Sequence, residues 1–287
     1  MSQKRRAIMF VLSVIIFIVA GPTLILIASG YSVKEVVSLT KINFQRTGGV
    51  YIGDIGTDGK VFVDGKIAGG GSFFDRSLLV QSLSPKVHTV SIERDGFRKW
   101  EKKVTVVPNK VTEIHPVLIP TKVVFEKIND KILSTTLSKE LAVKNKSLVA
   151  STSGTVVLKS GNMFVGLLDG AIFFKWKSIE DTPQYMCSKT NCEMGGVVSV
   201  ENPIKDIEWH PESKYGLVAI SSEGFYVIEF DSRNSRNITK VLSPEDFKLT
   251  HFIKPSLITL DEYIYLSSGD VFYKINLKKA PAVSEKI

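Results

Sequence analysis

Near its start the chain contains an uninterrupted apolar segment, AIMFVLSVIIFIVAGPTLILIAS, from Ala7 to Ser29. It holds no charged residue, and a helix of this length, rising about 1.5 Å per residue, crosses a bilayer core of about 30 Å. Its Gly21-Pro22 pair is tolerated in a membrane helix when neighbouring groups satisfy the freed carbonyls. We therefore predict one transmembrane helix at residues 7–29, in contact with the lipid bilayer.

The charges that flank this segment predict which side of the membrane each end occupies. Residues 1–6, MSQKRR, are basic, whereas the flank that follows the segment is not. By the positive-inside rule the short tail stays in the cytoplasm, and everything after Tyr31 lies outside it. The sequence thus indicates a single-pass protein of the cell membrane, with residues 30–47 as a juxtamembrane linker.

A cleavable signal peptide is the alternative to an anchor. The small residues Ala28, Ser29 and Gly30 suit a signal peptidase. However, the apolar segment is longer than the roughly 7 to 15 residues of a signal peptide's hydrophobic region. We favour an uncleaved anchor, and both interpretations place the bulk of the chain outside the cytoplasm.

Residues 48–120 show the pattern of short β-strands. Apolar and polar residues alternate in GGVYIGDI, KVFVDGKIA, SLLVQSL, VHTVSIERDGF, KKVTVV and KVTEIHPVLI, with Asp-Gly, Pro-Lys and Pro-Asn turns between them. Period-two alternation rich in Val and Ile and bounded by such turns is typical of an antiparallel sheet. We predict a small antiparallel β-sandwich.

The order of these motifs resembles a PEGA domain, a small extracytoplasmic β-sandwich of bacterial and archaeal surface proteins. The resemblance makes Asp64-Gly65 a hairpin turn, the stretch from His88 to Ile92 a central strand, and Asp95-Gly96-Phe97 the turn before the last strands. Thr57-Asp58-Gly59-Lys60 stands where the naming tetrapeptide belongs and keeps only its glycine. In such domains the hairpin is scaffold, so the resemblance implies a structural role for it.

Residues 121–287 are also predicted to be β-rich, with weak self-similarity. The stretch Ile204–Asp231 is followed by a similar one containing Phe272-Tyr273, and a fainter copy precedes both. A period of about 40 to 50 residues is typical of propeller blades, and IEWHPESKYGLVA resembles the blades of TolB-like and WD-type propellers. A closed ring needs about four blades, so an open or degenerate array is expected. A simple β-sandwich is the alternative for this region.

The chain's only two cysteines, Cys187 and Cys192, enclose a short polar loop, CSKTNC. In an oxidising exterior an even number of cysteines at this spacing predicts a local disulfide that fastens a hairpin tip. A metal site would need further ligands, and no histidine lies nearby in sequence.

Aromatic residues are the candidate contact points for a partner. Rings stack on the apolar faces of sugars and anchor protein interfaces. Phe73 and Phe74, which follow three glycines, and Trp100 are the candidate interface residues. Trp209 is expected in a core, as most aromatic residues of β domains are.

The residues indicate neither a catalytic site nor a cofactor or metal site. The four histidines are far apart, and no nucleophile motif or phosphate loop occurs with its companion residues. The formal charge of +8 includes Lys4, Arg5 and Arg6, and the other basic residues are scattered rather than interleaved with aromatic ones. This pattern argues against a nucleic-acid partner.

Three functions are consistent with this reading. The favoured one is a non-enzymatic, membrane-anchored structural or protein-interaction platform at the cell envelope. The first alternative is a module that binds a cell-wall or surface glycan, for which the aromatic residues argue. The second is an envelope enzyme whose site is assembled from distant residues on propeller loops.

The topology leads to a direct prediction in intact cells. An epitope tag placed after Ile287 is expected to be removed by added protease, and Cys187 and Cys192 are expected to react with a thiol reagent only after reduction. A protected tag with reactive thiols would place the bulk of the chain in the cytoplasm and contradict the predicted topology.

Overall fold

An apolar helix precedes a body of β-sheets in the computed structural model, which describes residues 3–28, 31–38, 41–71, 76–149, 156–187 and 191–278. Helix α1 spans Gln3–Ala28, and its window Ile8–Ile25 has a mean hydropathy of 2.7 with no residue buried against the rest of the chain. Among the described residues this is the one helix long and apolar enough to cross a membrane. The helix continues through Pro22, and the Thr23 hydroxyl donates to the Val19 carbonyl at 2.8 Å.

The segment predicted as a juxtamembrane linker contains a pair of strands. Strands β1 (Tyr31–Ser38) and β2 (Lys41–Arg46) pair in antiparallel fashion, with register shifts on either side of Val36. The β-branched residues Val33, Val36, Val37 and Ile42 favour an extended backbone in these strands.

A two-sheet unit follows, as the strand pattern predicts, but one of its pairs is parallel. A three-stranded sheet has the order β6-β3-β9 and a four-stranded sheet the order β5-β4-β7-β8. Strands β3 and β9 run parallel because the whole second sheet is formed between them in sequence and serves as the crossover. The strands are β3 Gly48–Ile52, β4 Lys60–Val63, β5 Lys66–Gly70, β6 Leu78–Leu83, β7 Val87–Glu93, β8 Trp100–Thr105 and β9 Val111–Ile114.

The Asp-Gly turn between β4 and β5 is hydrogen-bonded to strand β7 of the same unit. Asp64 and Gly65 both have positive φ, 51° and 76°, as a tight hairpin requires. The Asp64 carboxylate accepts hydrogen bonds from the Thr89 backbone N–H at 3.0 Å and from Nδ1 of buried His88 at 2.8 Å. Burial alone raises the pKa of Asp64, but these two donors lower it. The turn thus bonds to the central strand β7.

Three four-stranded antiparallel sheets make up the rest of the body, so this region is not a two-sheet sandwich. Their orders are β11-β12-β13-β14, β15-β16-β17-β18 and β10-β21-β20-β19. The strands are β10 Val124–Lys127, β11 Val156–Ser160, β12 Met163–Leu168, β13 Ala171–Trp176, β14 Gly195–Val198, β15 Ile204–His210, β16 Ser213–Ser221, β17 Phe225–Glu229, β18 Ile238–Leu242, β19 Ser256–Leu260, β20 Tyr263–Ser268 and β21 Val271–Asn276. The third sheet is therefore completed by a strand from the start of the region.

The middle sheet is buried on both faces. Along β16, Leu217 and Ala219 pack against the first sheet, while Val218 and Ile220 pack against the third. Because successive side chains of a strand point to opposite faces, a strand covered on both sides has a continuous apolar sequence. This explains why LVAI in β16 and FYVI in β17 do not alternate, and why the sheets stack face to face.

A second helix, α2 (Lys131–Val149), occurs where the sequence predicts only strands. Asp130 accepts hydrogen bonds from the backbone N–H groups of Ile132 and Leu133, which caps the helix start. Leu137 is fully buried against Tyr265 and Phe272 on the outer face of the third sheet. The fold is thus mostly β rather than all-β beyond the anchor, and a helix covers the face where a further sheet would stack.

A half-buried lysine joins α2 to two sheets. Lys144 Nζ lies 2.9 Å from carboxylate oxygens of both Asp206 and Glu208 on β15, and it donates to the Leu257 carbonyl on β19 at 2.8 Å. Burial raises the pKa of Glu208, while the Lys144 charge acts to lower it. The positive charge of Lys144 therefore offsets two carboxylates where the second and third sheets meet.

His210 makes the folded state sensitive to acid. Burial lowers its pKa to about 4, and its Nδ1 accepts the Glu212 backbone N–H at 3.2 Å, so the neutral ring is the folded form. The neutral ring stabilises the fold fully above pH 6.5, the pKa of histidine in the unfolded chain. This stabilisation is lost as the pH falls toward about 4, the pKa of His210 in the folded chain. The free energy of unfolding should drop by up to about 3 kcal/mol over that interval.

The variant His210→Asn should flatten this pH dependence, because its side-chain oxygen can accept the same N–H without titrating. Exposed His251 provides the matched control, and His251→Asn should keep the wild-type profile. Urea unfolding between pH 7 and pH 4 measures the effect. Equal slopes for His210→Asn and the wild type would show that another group causes the acid sensitivity.

Candidate functional site: a cleft between the sandwich and the stacked sheets

The chain segment that joins the sandwich to the stacked sheets is embedded in both. Val117 packs in the core between the second and third sheets, whereas Leu118 packs in the sandwich core. At Gly216 on β16 an added Cβ would lie 2.8 Å from Val117 Cγ2, so this close approach requires glycine. The two units therefore meet through a packed connection rather than a flexible one.

A buried polar cluster joins strand β8 of the sandwich to the end of β17. Trp100 Nε1 donates to a Glu229 carboxylate oxygen at 3.2 Å, and Lys102 Nζ donates to the Asp231 carbonyl at 2.6 Å. Lys102 Nζ also lies 3.5 Å from Glu229 and 3.7 Å from Asp231 carboxylate oxygens. The Lys102 and Glu229 side chains are only 1% and 2% exposed.

Burial shifts the pKa values of the acid and the lysine of this cluster in opposite directions. It raises the pKa of Glu229 and lowers the pKa of Lys102, while the attraction between the two acts against both shifts. Each charge is therefore tolerated in the interior only because the other is present. The contact fixes the orientation of the sandwich on the sheets.

The structure corrects one predicted interface residue and leaves two untested. Trp100 is only 5% exposed and lies in the sandwich core, with its indole N–H directed at Glu229, so it cannot contact an outside partner. Phe73 and Phe74 lie outside the described residues. Trp209, expected in a core, packs at the edge of the core between the first two sheets, 5.7 Å from the Phe230 ring.

Beside this contact a cleft of about 680 Å³ opens between the two units. This volume is within the range of about 300–1,000 Å³ that is usual for ligand sites. One wall comes from the end of β8 through β9, and the other from the loop after β13 and the turn after β17. The lining residues are Thr105, Val107, Lys110–His115, Trp176, Glu180–Pro183, Tyr185, Cys187, Tyr215, Phe230, Asp231 and Arg233.

Arg233 links the two walls of the cleft. Its Nη2 donates to the Glu113 backbone carbonyl of the sandwich at 2.7 Å, and its guanidinium forms an ion pair with Asp231. The guanidinium carbon lies 4.3 Å from the centre of the Tyr185 ring. Burial raises the pKa of Tyr185, and the nearby Asp231 charge adds to the effect, so the phenol stays neutral.

Two stacked aromatic rings lie where the two units meet. The His115 and Tyr215 rings are 3.7 Å apart at an interplanar angle of 11°, and one ring belongs to each unit. Asp54 Oδ2 lies 3.6 Å from His115 Nδ1, which is an ion-pair distance but longer than a hydrogen bond.

Buried polar atoms without hydrogen-bond partners are concentrated at the cleft. Of the six such side-chain atoms among the described residues, three belong to residues that line it: His115 Nδ1, Trp176 Nε1 and Arg233 Nη1. A buried donor without an acceptor costs about 1–3 kcal/mol, so such groups call for an explanation. A ligand that supplies oxygen acceptors would satisfy the Trp176 and Arg233 N–H groups, whereas His115 Nδ1 can donate or accept according to its tautomer.

A disulfide joins Cys187 to Cys192 at the rim of the cleft. The two residues form an isolated antiparallel bridge within the connection from β13 to β14. The same connection carries Tyr185, and Asp181 in it accepts hydrogen bonds from Asn162 at 2.5 Å and Ser178 at 2.7 Å. These bonds hold the rim of the cleft in place.

Within the described part of the chain, no group of three or more His, Cys, Asp or Glu side chains is arranged to hold a metal ion. The sequence matches no protein-family model and no curated protein. The site must therefore be interpreted from its own geometry.

The sequence did not indicate which residues meet in the cleft or in the buried cluster beside it. Arg233 and Glu113 are 120 positions apart, and Trp100 and Glu229 are 129 apart, so no local motif joins them. The available signal was weak: an Asp-x-Arg turn shortly after the largely apolar strand β17, with Trp176 at the end of β13.

Removing the cation of the buried cluster tests how the two units are held together. Lys102→Met should lower the free energy of unfolding by about 3–5 kcal/mol, because it leaves Glu229 and Asp231 buried without their lysine. Lys103→Met, at the exposed neighbouring position, should change it by no more than about 0.5 kcal/mol. Urea unfolding at pH 7 provides the measurement.

A double variant keeps this test specific to charge. Adding Glu229→Gln to Lys102→Met should recover part of the loss, because one unpaired charge is then removed. If the double variant is less stable by the sum of the two single losses, the lysine contributes by packing alone.

Proposed function

We propose that this chain is a membrane-anchored, non-enzymatic binding protein of the cell envelope. In this proposal α1 is an uncleaved anchor, and a PEGA-like sandwich with a propeller-like stack of sheets forms the head outside the membrane. The head captures another envelope protein in the cleft between its two units. The observation that carries the proposal is a cleft built from both units and held open by a buried charged contact.

The folds named in this proposal are supported by local features. An Asp-Gly hairpin beside a central strand, in a unit of seven strands, is consistent with a PEGA-like sandwich. Stacked four-stranded meanders, the last completed by a strand from the region's start, are the arrangement that propellers use. Helix α2 takes the place of a further blade, which gives an open array.

The electrostatics of the cleft favour binding over catalysis. Burial alone would raise the pKa of Asp231, but the hydrogen bonds and charge of Arg233 lower it, so the carboxylate stays ionised. Asp181 is engaged by two donors, and the Tyr185 phenol has a raised pKa. A general acid or base works best with a pKa near the working pH, and the pKa values of Asp231 and Tyr185 are shifted away from it.

A glycan is the second candidate for the captured component. The Trp176 ring lines the cleft beside the exposed Glu180 carboxylate and Asp181. An aromatic ring together with carboxylates is suited to a sugar, which has an apolar face and donates through its hydroxyls.

A photo-crosslinking pair tests the proposed function in cells. Benzoylphenylalanine in place of Lys110, an exposed residue of the cleft, should give a discrete protein adduct on irradiation. The same probe in place of Lys66, an exposed residue of the β4–β5 hairpin, should not. The adduct should be degraded when protease is added outside the cells. Equal labelling from both positions, or a protease-resistant adduct, would overturn the proposal.

A further inference from the structure

Among the described residues, strand β9 pairs with another strand along one edge only, and its other edge faces the cleft. On its other side β9 pairs with β3, where the Gly49 and Gly53 N–H groups donate to the Lys110 and Ile114 carbonyls. Backbone N–H and C=O groups of a strand alternate in direction from one residue to the next. The groups of Val111 and Glu113 therefore point away from β3.

Contacts across the cleft confirm this direction. The Glu113 carbonyl accepts Nη2 of Arg233, which belongs to the opposite wall. Residues Lys110–His115 all line the cleft, and Val111 is 47% exposed. A free strand edge presents backbone donors and acceptors to any extended chain that comes alongside.

The opposite wall supplies donors for the second edge of such a chain. An extended peptide carries carbonyls on both edges, so one edge can pair with β9 while the other faces the far wall. Trp176 Nε1 and Arg233 Nη1, two of the buried donors without acceptors, belong to residues of that wall. Peptide carbonyls are acceptors that would satisfy both of them.

The charges and apolar groups of the cleft restrict the side chains of the occupant. The lining contains four acidic residues, Glu113, Glu180, Asp181 and Asp231, and two basic ones, Lys110 and Arg233. An acidic segment is therefore disfavoured. Val107 and Val111 are 42% and 47% exposed there, which suits apolar side chains at alternate positions.

We propose that the cleft binds an extended, neutral-to-basic segment of a partner protein, which adds as a further strand to the free edge of β9. This inference rests on the proposed function and specifies how the partner is held. Backbone hydrogen bonds provide much of the affinity, and the acidic lining selects against acidic segments.

The test uses the full chain in lipid nanodiscs and a fluorescent peptide of alternating valine and lysine or threonine. Fluorescence anisotropy should show saturable binding of this peptide. A version with lysine replaced by glutamate should bind at least about tenfold more weakly, as should a version N-methylated at alternate amides on the paired edge. Equal binding of all three would overturn the proposed pairing.

A pair of variants at one position separates backbone from side chain. Val111→Pro removes an N–H that points away from β3 and therefore no hydrogen bond to that strand, a change that edge strands tolerate. It should weaken peptide binding by about tenfold or more, whereas Val111→Ala, which keeps the N–H, should retain affinity within about threefold. Equal losses in the two variants would mean that the valine side chain, not strand pairing, holds the peptide.

Hydrogen–deuterium exchange on the wild-type chain gives a readout that does not depend on the folding of a variant. Peptide should slow exchange in residues 110–115 and leave β6, the other edge of the same sheet, unchanged. Protection of residues 176–187 by a neutral oligosaccharide, with none in β9, would replace the peptide by a glycan. No binding of either probe, with the Lys110 crosslink intact, would reject strand addition and leave the proposed function standing. Loss of that crosslink would reject the proposed function itself.

Discussion

The buried contact between Lys102 and the acids Glu229 and Asp231 determines the shape of the whole head. Removing two charged groups from water is costly, and the attraction between them repays that cost only when their geometry is well fixed. The sandwich therefore cannot rotate on the sheets without separating charges in an apolar interior. The cleft beside this contact keeps its width for the same reason, because its two walls belong to the two units that the contact joins.

The middle sheet has a comparable role within the stack. Its strands β16 and β17 are covered on both faces, so alternate residues of the same strands pack against the first and the third sheet. The outer face of the third sheet would remain exposed without α2, and Lys144 binds that helix back to β15 and β19. The stack of three sheets thus ends in a helix. This helix, rather than a fourth sheet, covers the apolar outer face of the third sheet.

The features that could be predicted from the sequence are those encoded within a few residues. The uncharged apolar segment indicated α1, and the alternating strands around Asp64-Gly65 indicated the sandwich. Helix α2 could have been recognised from Leu133, Leu137 and Leu141 at a four-residue spacing after the capping Asp130. The polar sequence and the β-rich surroundings concealed it.

The cleft and the fate of Trp100 could not be predicted in this way. Both depend on side chains more than a hundred residues apart in sequence, such as Trp100 and Glu229. The sequence of a single strand does not distinguish an exposed tryptophan from one that is buried against a carboxylate. The parallel pairing of β3 with β9 is likewise a property of the whole unit, since each strand alone has the same alternating pattern that antiparallel strands have.

The pairing of β10 with β21 has a consequence for biogenesis. If the chain is exported from its N-terminus, β10 crosses the membrane early and must wait for β21, which lies near the end of the described residues. Until then β10 has no partner strand, and the edge of β20 that will pair with β21 is open to pairing with other chains. This sheet can therefore be completed only after β21 has been exported. An export intermediate stopped before β21 would be a natural substrate for envelope chaperones and proteases.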